Sequence, residues 1–205
     1  MSEMKVPVYV VDDDESVRDS LAFMLEGHDF TVTAFEDGQH FIEQADLSRP
    51  GCVVLDSRMP ILRGQEVQHC LNEQQSPLSV IFLTAHGDVP MAVNALKLGA
   101  LDFFQKPVDG ALLAIAIHKA IAQSLITYKQ QTFKKSFASL TERETEILQL
   151  IVKGKRNQQI ADGLCVAVRT VEVHRASLMK KCKAKTVADL VMSYAKVKFK
   201  AHTNK

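Results

Sequence analysis

The chain has 205 residues, 46% hydrophobic and 24% charged, a length that suits two small domains and a composition too apolar for disorder. Cys52, Cys70, Cys165 and Cys182 lie far apart without metal-ligand spacing, and no apolar run approaches the roughly 18 residues of a membrane span, so disulfide scaffolds, zinc fingers and membrane proteins are set aside. The net charge of +1 conceals a division: residues 1–123 carry 8 basic and 18 acidic side chains (net −10), and residues 124–205 carry 17 and 6 (net +11).

No secretory signal is read near the start, and a reduced cytoplasm is the expected compartment. The charge split favours nucleic-acid binding by the basic half, although a solvated basic face carries the same charge. In the acidic half, short β-rich runs alternate with segments of helical spacing. Strands are expected over 6–11, 30–35, 52–55, 78–83 and 101–104, and helices over 16–25, 39–45, 64–71, 90–98 and 110–125. That alternation implies an α/β domain over 1–123, a doubly wound five-stranded parallel sheet covered on both sides. Sites in such sheets form at the carboxyl ends of the strands.

Residues 124–139 turn polar, with Tyr128-Lys129-Gln130-Gln131 and Lys134-Lys135, and are expected to be a linker that in part continues the preceding helix. Four helical segments follow, an all-α domain over 140–200. Thr141 and Glu144 form a capping box that opens a helix through Ile147, Leu148 and Ile151, stopping at Gly154. Asn157 is the expected cap of 158–164, the segment 168–182 is the expected longest helix, and Thr186 is the expected cap of the last.

The acidic half places chemistry at its strand ends. Asp12, Asp13 and Asp14 follow the first strand, Asp56 the third, Thr84 the fourth, and Lys106 the fifth, just before Pro107. If the first and third strands are neighbours, Asp12, Asp13 and Asp56 converge. Carboxylates so close repel unless a cation sits among them, and an oxygen-only set favours Mg²⁺. A carboxylate nucleophile, a metal, a hydroxyl and a lysine together suit phosphoryl transfer. Singly, each residue has a plainer role: acids at a helix start, as expected of Asp14, or turn and cap residues. Joint placement at four strand ends favours the shared site.

Val-Val-Asp12-Asp13-Asp14, Leu55-Asp56-Ser-Arg-Met-Pro60, Leu83-Thr84-Ala-His-Gly-Asp88 and Asp102-Phe-Phe-Gln-Lys106-Pro107 resemble the receiver domain of two-component response regulators. The resemblance covers about residues 5–123 and implies a CheY-like fold in which Asp56 accepts a phosphoryl group from a sensor histidine kinase. It implies Mg²⁺ held by Asp13, Asp56 and the backbone carbonyl of Arg58, with Asp12 helping through water. Thr84 and Lys106 would meet the phosphoryl oxygens, and the Lys106–Pro107 bond would be cis. Phe103 takes the switch position where the family often has tyrosine, so ring burial alone can report the state. Phosphorylation adds about −1.5 to −2 charges and three acceptor oxygens. Thr84 drawn towards them vacates space for Phe103, and the face near 89–98 and 101–104 is expected to dimerise.

In the basic half, the segment 168–182 has an apolar side of Val171, Leu178 and Cys182 and an opposite side of Arg169, Glu172, Val173, Ala176 and Lys180. With 158–164 and the turn Cys165-Val166-Ala167 it makes a helix-turn-helix, whose second helix fits the major groove. Helical hairpins share this pattern, and the +11 charge favours DNA. Lys155, Arg156, Lys181, Lys183 and Lys185 flank the helix and can meet phosphates.

Leu140-Thr-Glu-Arg-Glu, Gly154-Lys-x-Asn157-x-x-Ile160-Ala161 and Arg169-Thr-Val-Glu-Val-His-Arg175 resemble the LuxR-type effector domain, and with the receiver they indicate the FixJ-like branch. Glu172 can accept from cytosine N4 and Val173 can touch a thymine methyl. Arg169, Thr170, Arg175 and Lys180 are expected on phosphates, with Arg175 nearest the apolar side. Ala167 stands where a capping Ser or Asp is expected, a loss of about 1 kcal/mol of helix stability. Gly87-Asp-Val-Pro-Met-Ala-Val93, Gln105-Lys-Pro-Val108 and Val166-Ala-Val-Arg-Thr170 are similar to regulators of tetrathionate respiration.

The family implies a homodimer on a double-stranded DNA promoter, with half-sites about one helical turn apart, activation of transcription and contact with RNA polymerase. A ligand-sensing LuxR-type regulator would not carry the four strand-end motifs. A phospho-relay protein with a non-DNA output would retain no DNA. A small-phosphate hydrolase needs a water-directing base, and Arg58 offers no carboxylate or carboxamide. His174 is assigned to helix packing or a phosphate, and His86 is given no chemistry. Cys52 and Cys165 lie in apolar contexts and are expected in the core, which sets a redox role aside.

Overall fold

The computed structural model of the chain describes residues 6–85 and 89–201. It divides into two units, one reaching Tyr128 and the other beginning at Lys129. The first alternates β1 (Pro7–Val11), α1 (Glu15–Glu26), β2 (Thr31–Phe35), α2 (Gly38–Gln44), β3 (Cys52–Asp56), α3 (Gly64–Glu73), β4 (Ser79–Thr84), α4 (Val89–Lys97), β5 (Asp102–Gln105) and the larger part of α5 (Gly110–Ala138), whose residues from Lys129 on belong to the second. The strands pair in parallel in the order β2-β1-β3-β4-β5.

Alternation along the strands feeds two cores. Val8, Val10, Cys52, Val54, Ile81 and Leu83 pack with Leu21 and Leu25 of α1 and Leu113 and Ile117 of α5. The intervening Tyr9, Val11, Val53, Leu55, Val80 and Phe82 meet Phe41 of α2, Val67 and Leu71 of α3, and Ala95 of α4. Central β3 is buried along its whole length, as a strand covered on both faces must be. The register sets Val11 beside Leu55, Asp56 beside Leu83 and Thr84 beside Gln105. The carboxyl ends of β1, β3, β4 and β5 therefore open on one rim.

The expected elements of this half are all present, with one difference. The helix expected over 110–125 runs unbroken to Ala138. Residues 124–138 contain neither Gly nor Pro, so the polar stretch has nothing to stop the helix. By length and composition α5 is a described helix that could cross a membrane. Its Leu113, Ala114, Ala116, Ile117 and Ala120 are instead core of the first unit. Ser124 is fully buried: its hydroxyl donates to the Pro77 carbonyl at 2.6 Å and accepts from the Gly51 N–H at 2.9 Å.

The second unit comprises α6 (Glu142–Val152), α7 (Asn157–Leu164), α8 (Val168–Lys181) and α9 (Val187–Ala201) around Ile147, Leu148, Ile151, Ile160, Val171, Leu178 and Leu190. Thr141 and Glu144 close the capping box of α6, and Thr186 and Asp189 bond reciprocally at the start of α9. Asn157 is not the cap of α7. It is the first helical residue, after Arg156, whose N–H is taken by Gln159 at 3.0 Å. Nor is α8 the longest of the four, since its 14 residues fall one short of α9.

Candidate functional site

Each strand end delivers one side chain to the rim. Asp12, Asp56 and Thr84 are buried there, and Lys106 follows β5 with a cis peptide bond to Pro107. The Lys106 ammonium lies 2.5 Å from Asp12 Oδ2 and 2.9 Å from Asp56 Oδ1. Asp12, Asp13, Asp56, Arg58, Thr84 and Lys106 line a cleft of about 280 Å³. Asp14, also at the cleft, caps α1, accepting from the Ser16 and Val17 N–H groups.

Backbone bonds hold the acids in place. The Asp14 N–H donates to Asp12 Oδ1 at 3.1 Å, and the Arg58 N–H to Asp56 Oδ2 at 2.7 Å. Burial lifts the Asp12 carboxyl above the usual carboxylate range, against the pull of Lys106. Burial alone would lower the Lys106 ammonium, but its bonds and charge contacts with Asp56 and Asp12 prevail and raise it. Two carboxylates converging on one cation form an oxygen-rich, anionic cradle of the kind a hard divalent ion takes, so the donor set fits Mg²⁺.

Three residues of this site escaped the sequence reasoning. Ser57 is buried, and its hydroxyl donates to Thr84 Oγ1 at 2.7 Å. Arg18, in the first turn of α1, donates to the Asp12 carbonyl at 2.8 Å. A Cβ on Gly64 would stand 2.3 Å from the Asp56 carbonyl oxygen, so only glycine lets α3 begin so close to the acid. Ser57 was findable as the neighbour of Asp56. The other two depend on distances that no linear pattern carries. Phe103 pairs with Phe82 in register and is half-buried against the α4-side core.

On α8, Arg169, Thr170, Glu172, Val173, Ala176 and Lys180 are exposed, while Val171 and Leu178 are buried. Val173 is 58% exposed, a large apolar side chain held out to solvent amid charge. Arg175 and His174 are half-buried, and Arg169 pairs with Glu172 at 3.3 Å. The Ala167 cap has extended geometry and no side-chain bond to the helix.

Two expectations need correction. Lys181 does not stand ready for phosphate: its ammonium lies 2.7 Å from Oε2 of buried Glu144, which Ser177 also bonds through Oε1 at 2.7 Å. The bond from Lys181, then those from Thr141 and Ser177, hold the Glu144 carboxyl down at about 2. Cys165 is not core. It is exposed at the end of α7 with φ of 51°, where the left-handed turn into α8 lifts it off the hydrophobic cluster. Cys52 is buried, and burial pushes its thiol far up. His86, Gly87 and Asp88 lie outside the described residues.

The response regulator receiver domain profile matches residues 8–118, and that of bacterial regulatory proteins of the luxR family matches residues 138–194. The chain is 42% identical over 190 residues to the tetrathionate response regulatory protein TtrR of Salmonella typhimurium, covering 93% of this chain and 92% of that one. It is 40% identical over 190 residues to the transcriptional regulatory protein FixJ of Azorhizobium caulinodans, covering 91% and 90%. Among solved structures, the response regulator StyR superposes with a TM-score of 0.70 at 39% identity, covering 94% of this chain and 99% of that one. Full-length FixJ from B. japonicum gives 0.58 at 38%, covering 96% and 99%.

The chain belongs to the response regulators, with a receiver domain followed by a DNA-binding domain of the luxR family. Within that class it is a homologue of the FixJ and TtrR transcriptional regulators, matched over nine tenths of its length.

Proposed function

We propose that this regulator is switched by phosphorylation of Asp56 and reads a promoter through α8. The observation that carries the reading is the convergence of Asp12 and Asp56 on the Lys106 ammonium. An Asp56 carboxylate oxygen attacks the phosphorus of a phosphohistidine on a sensor kinase. The new P–O bond forms as the P–N bond breaks, and its electron pair stays on the imidazole. Lys106 and Thr84 meet the transferred oxygens. Bound Mg²⁺, held by Asp13, Asp56 and the Arg58 carbonyl with Asp12 assisting, would supply charge neutralisation at the phosphoryl oxygens. An apolar groove of about 470 Å³ beside the cleft, lined by Val17, Leu21, Met24, Leu83, Pro107 and Val108, supports docking of the kinase.

Thr84, drawn to the added charge, moves the β4 end, and Phe103 follows. The outer face of α4, where Val89, Val93 and Leu96 are exposed, then becomes a homodimer surface. In the dimer each α8 enters a major groove about one turn from its mate, with Glu172 and Val173 on base edges and Arg169, Thr170, Arg175 and Lys180 on phosphates. The identity to TtrR supports target genes of tetrathionate respiration, activated with RNA polymerase in the cytoplasm. In this reading residues 1–123 receive, 124–139 link and 140–200 bind DNA. The decisive experiment is enrichment of DNA sequences by the full chain with and without beryllofluoride and Mg²⁺, beside Asp56→Asn. One shared sequence, captured more strongly with the mimic and unresponsive in Asp56→Asn, supports the reading. Equal capture in every arm refutes it.

A further inference from the structure

Ser57 has no part in the chemistry above, yet its hydroxyl donates to Thr84, the residue that must respond to it. Both side chains are buried, and their oxygens are 2.7 Å apart. Ser57 is also held from behind. Its carbonyl accepts the Gly64 N–H at 3.3 Å, and a Cβ on Gly64 would stand 3.1 Å from Ser57 Cα. The start of α3 therefore pins the Ser57 backbone. If Thr84 shifts towards Asp56, Ser57 cannot follow.

We propose that Ser57 is a positioning residue, a brake that holds the Thr84 hydroxyl in its resting place and sets how strongly Asp56 must be loaded before the receiver switches. The proposal rests on Asp56 being the phosphoacceptor and on Thr84 moving. A hydrogen bond to an anionic phosphoryl oxygen is roughly twice as strong as one between neutral hydroxyls, so loading wins. The resting bond still subtracts from that gain. Removing one neutral buried bond corresponds to about a three- to tenfold rise in the population able to close on the phosphoryl group. Apparent affinity for anything that binds only that population improves by the same factor.

The test is a calorimetric titration of the full chain with beryllofluoride in Mg²⁺, with self-association followed by sedimentation. Ser57→Ala is expected to lower the half-saturating beryllofluoride concentration about three- to tenfold. Ser57→Thr, which keeps the hydroxyl, is expected to stay within twofold of the parent chain. A purely structural role would lower thermal stability without tightening this binding. Should Ser57→Ala fail to fold, Ser57→Cys, similar in volume and a weak donor, takes its place, with a shift of at least twofold in the same direction. Unchanged or weaker beryllofluoride binding overturns the proposal, the weaker case making Ser57 a relay that assists Thr84. If the parent chain takes up beryllofluoride and self-associates while the variant behaves identically, the brake alone is refuted. If the parent chain does not take it up, the phosphoacceptor reading fails first.

Discussion

The ammonium of Lys106 sits 2.9 Å from Oδ1 of Asp56 and closer still to Asp12, so the lysine occupies the charge centre of the cleft it helps to form. A divalent ion sharing those carboxylates must compete with it. Lys106→Met is expected to bind Mg²⁺ about tenfold more tightly, because two carboxylates lose their only contacting ammonium among the described residues. Calorimetric titration with MgCl₂ checks this, and unaltered affinity counts against the shared site. The same variant should load poorly from acetyl phosphate, having lost a cation at the phosphoryl oxygens.

Glu144 ties the start of α6 to the last turns of α8 through Ser177 and Lys181. Its carboxyl is depressed from the ordinary 4.5 to about 2, so its contribution to stability is present above the unfolded value and is lost as pH falls towards 2. Thermal unfolding of the second unit should therefore weaken over that acid window. Glu144→Ala should flatten this dependence and cost about 3 kcal/mol at neutral pH. Calorimetric scans across pH decide; a variant as stable as its parent would leave Glu144 a bystander.

Ala167 begins α8 with φ of −67° and ψ of 146° and offers no oxygen to the first turn. Ser at this position fits the backbone and can accept a helix N–H. Ala167→Ser is expected to stabilise the second unit by about 1 kcal/mol. Urea denaturation followed by circular dichroism reads the shift, and no gain would mean the hydroxyl cannot reach that turn.

Arg169 and Glu172 pair across one turn of the exposed α8 face. Arg169→Ala is expected to weaken binding to all DNA sequences alike and to lower the salt slope by about 1. Glu172→Gln should relax preference at one base position by about 1–3 kcal/mol. Because the side chains touch, the two effects will not add, and a double-mutant cycle on DNA affinity measures the coupling. A uniform loss from Glu172→Gln would place it away from the bases.

The parallel sheet was legible because its central strands are short continuous apolar runs, such as Cys52-Val-Val-Leu55, that suit a doubly covered sheet. The site was legible because chemistry at such sheets gathers where strands end: Asp12, Asp56 and Thr84 stand one step past an apolar run, and Lys106 two. What escaped depends on proximity. Lys181 looks like any other basic residue until Glu144, 37 positions away, lies against it. Cys165 has apolar neighbours in sequence, but a left-handed backbone turns it outward. The extent of α5 was understated because polarity suggested a linker, whereas helix formation needs only the absence of a breaker.

Ser124 fastens Gly51 and Pro77, the residues just ahead of β3 and β4, to α5 at the pole farthest from Asp56. A frame riveted at its floor yields only at its ceiling. Deformation begun beside Asp56 is thereby confined to the upper loops, and the lower ends of the central strands stay still. A fragment trimmed to residue 123 would forfeit the rivet, and its central strands would breathe at both poles.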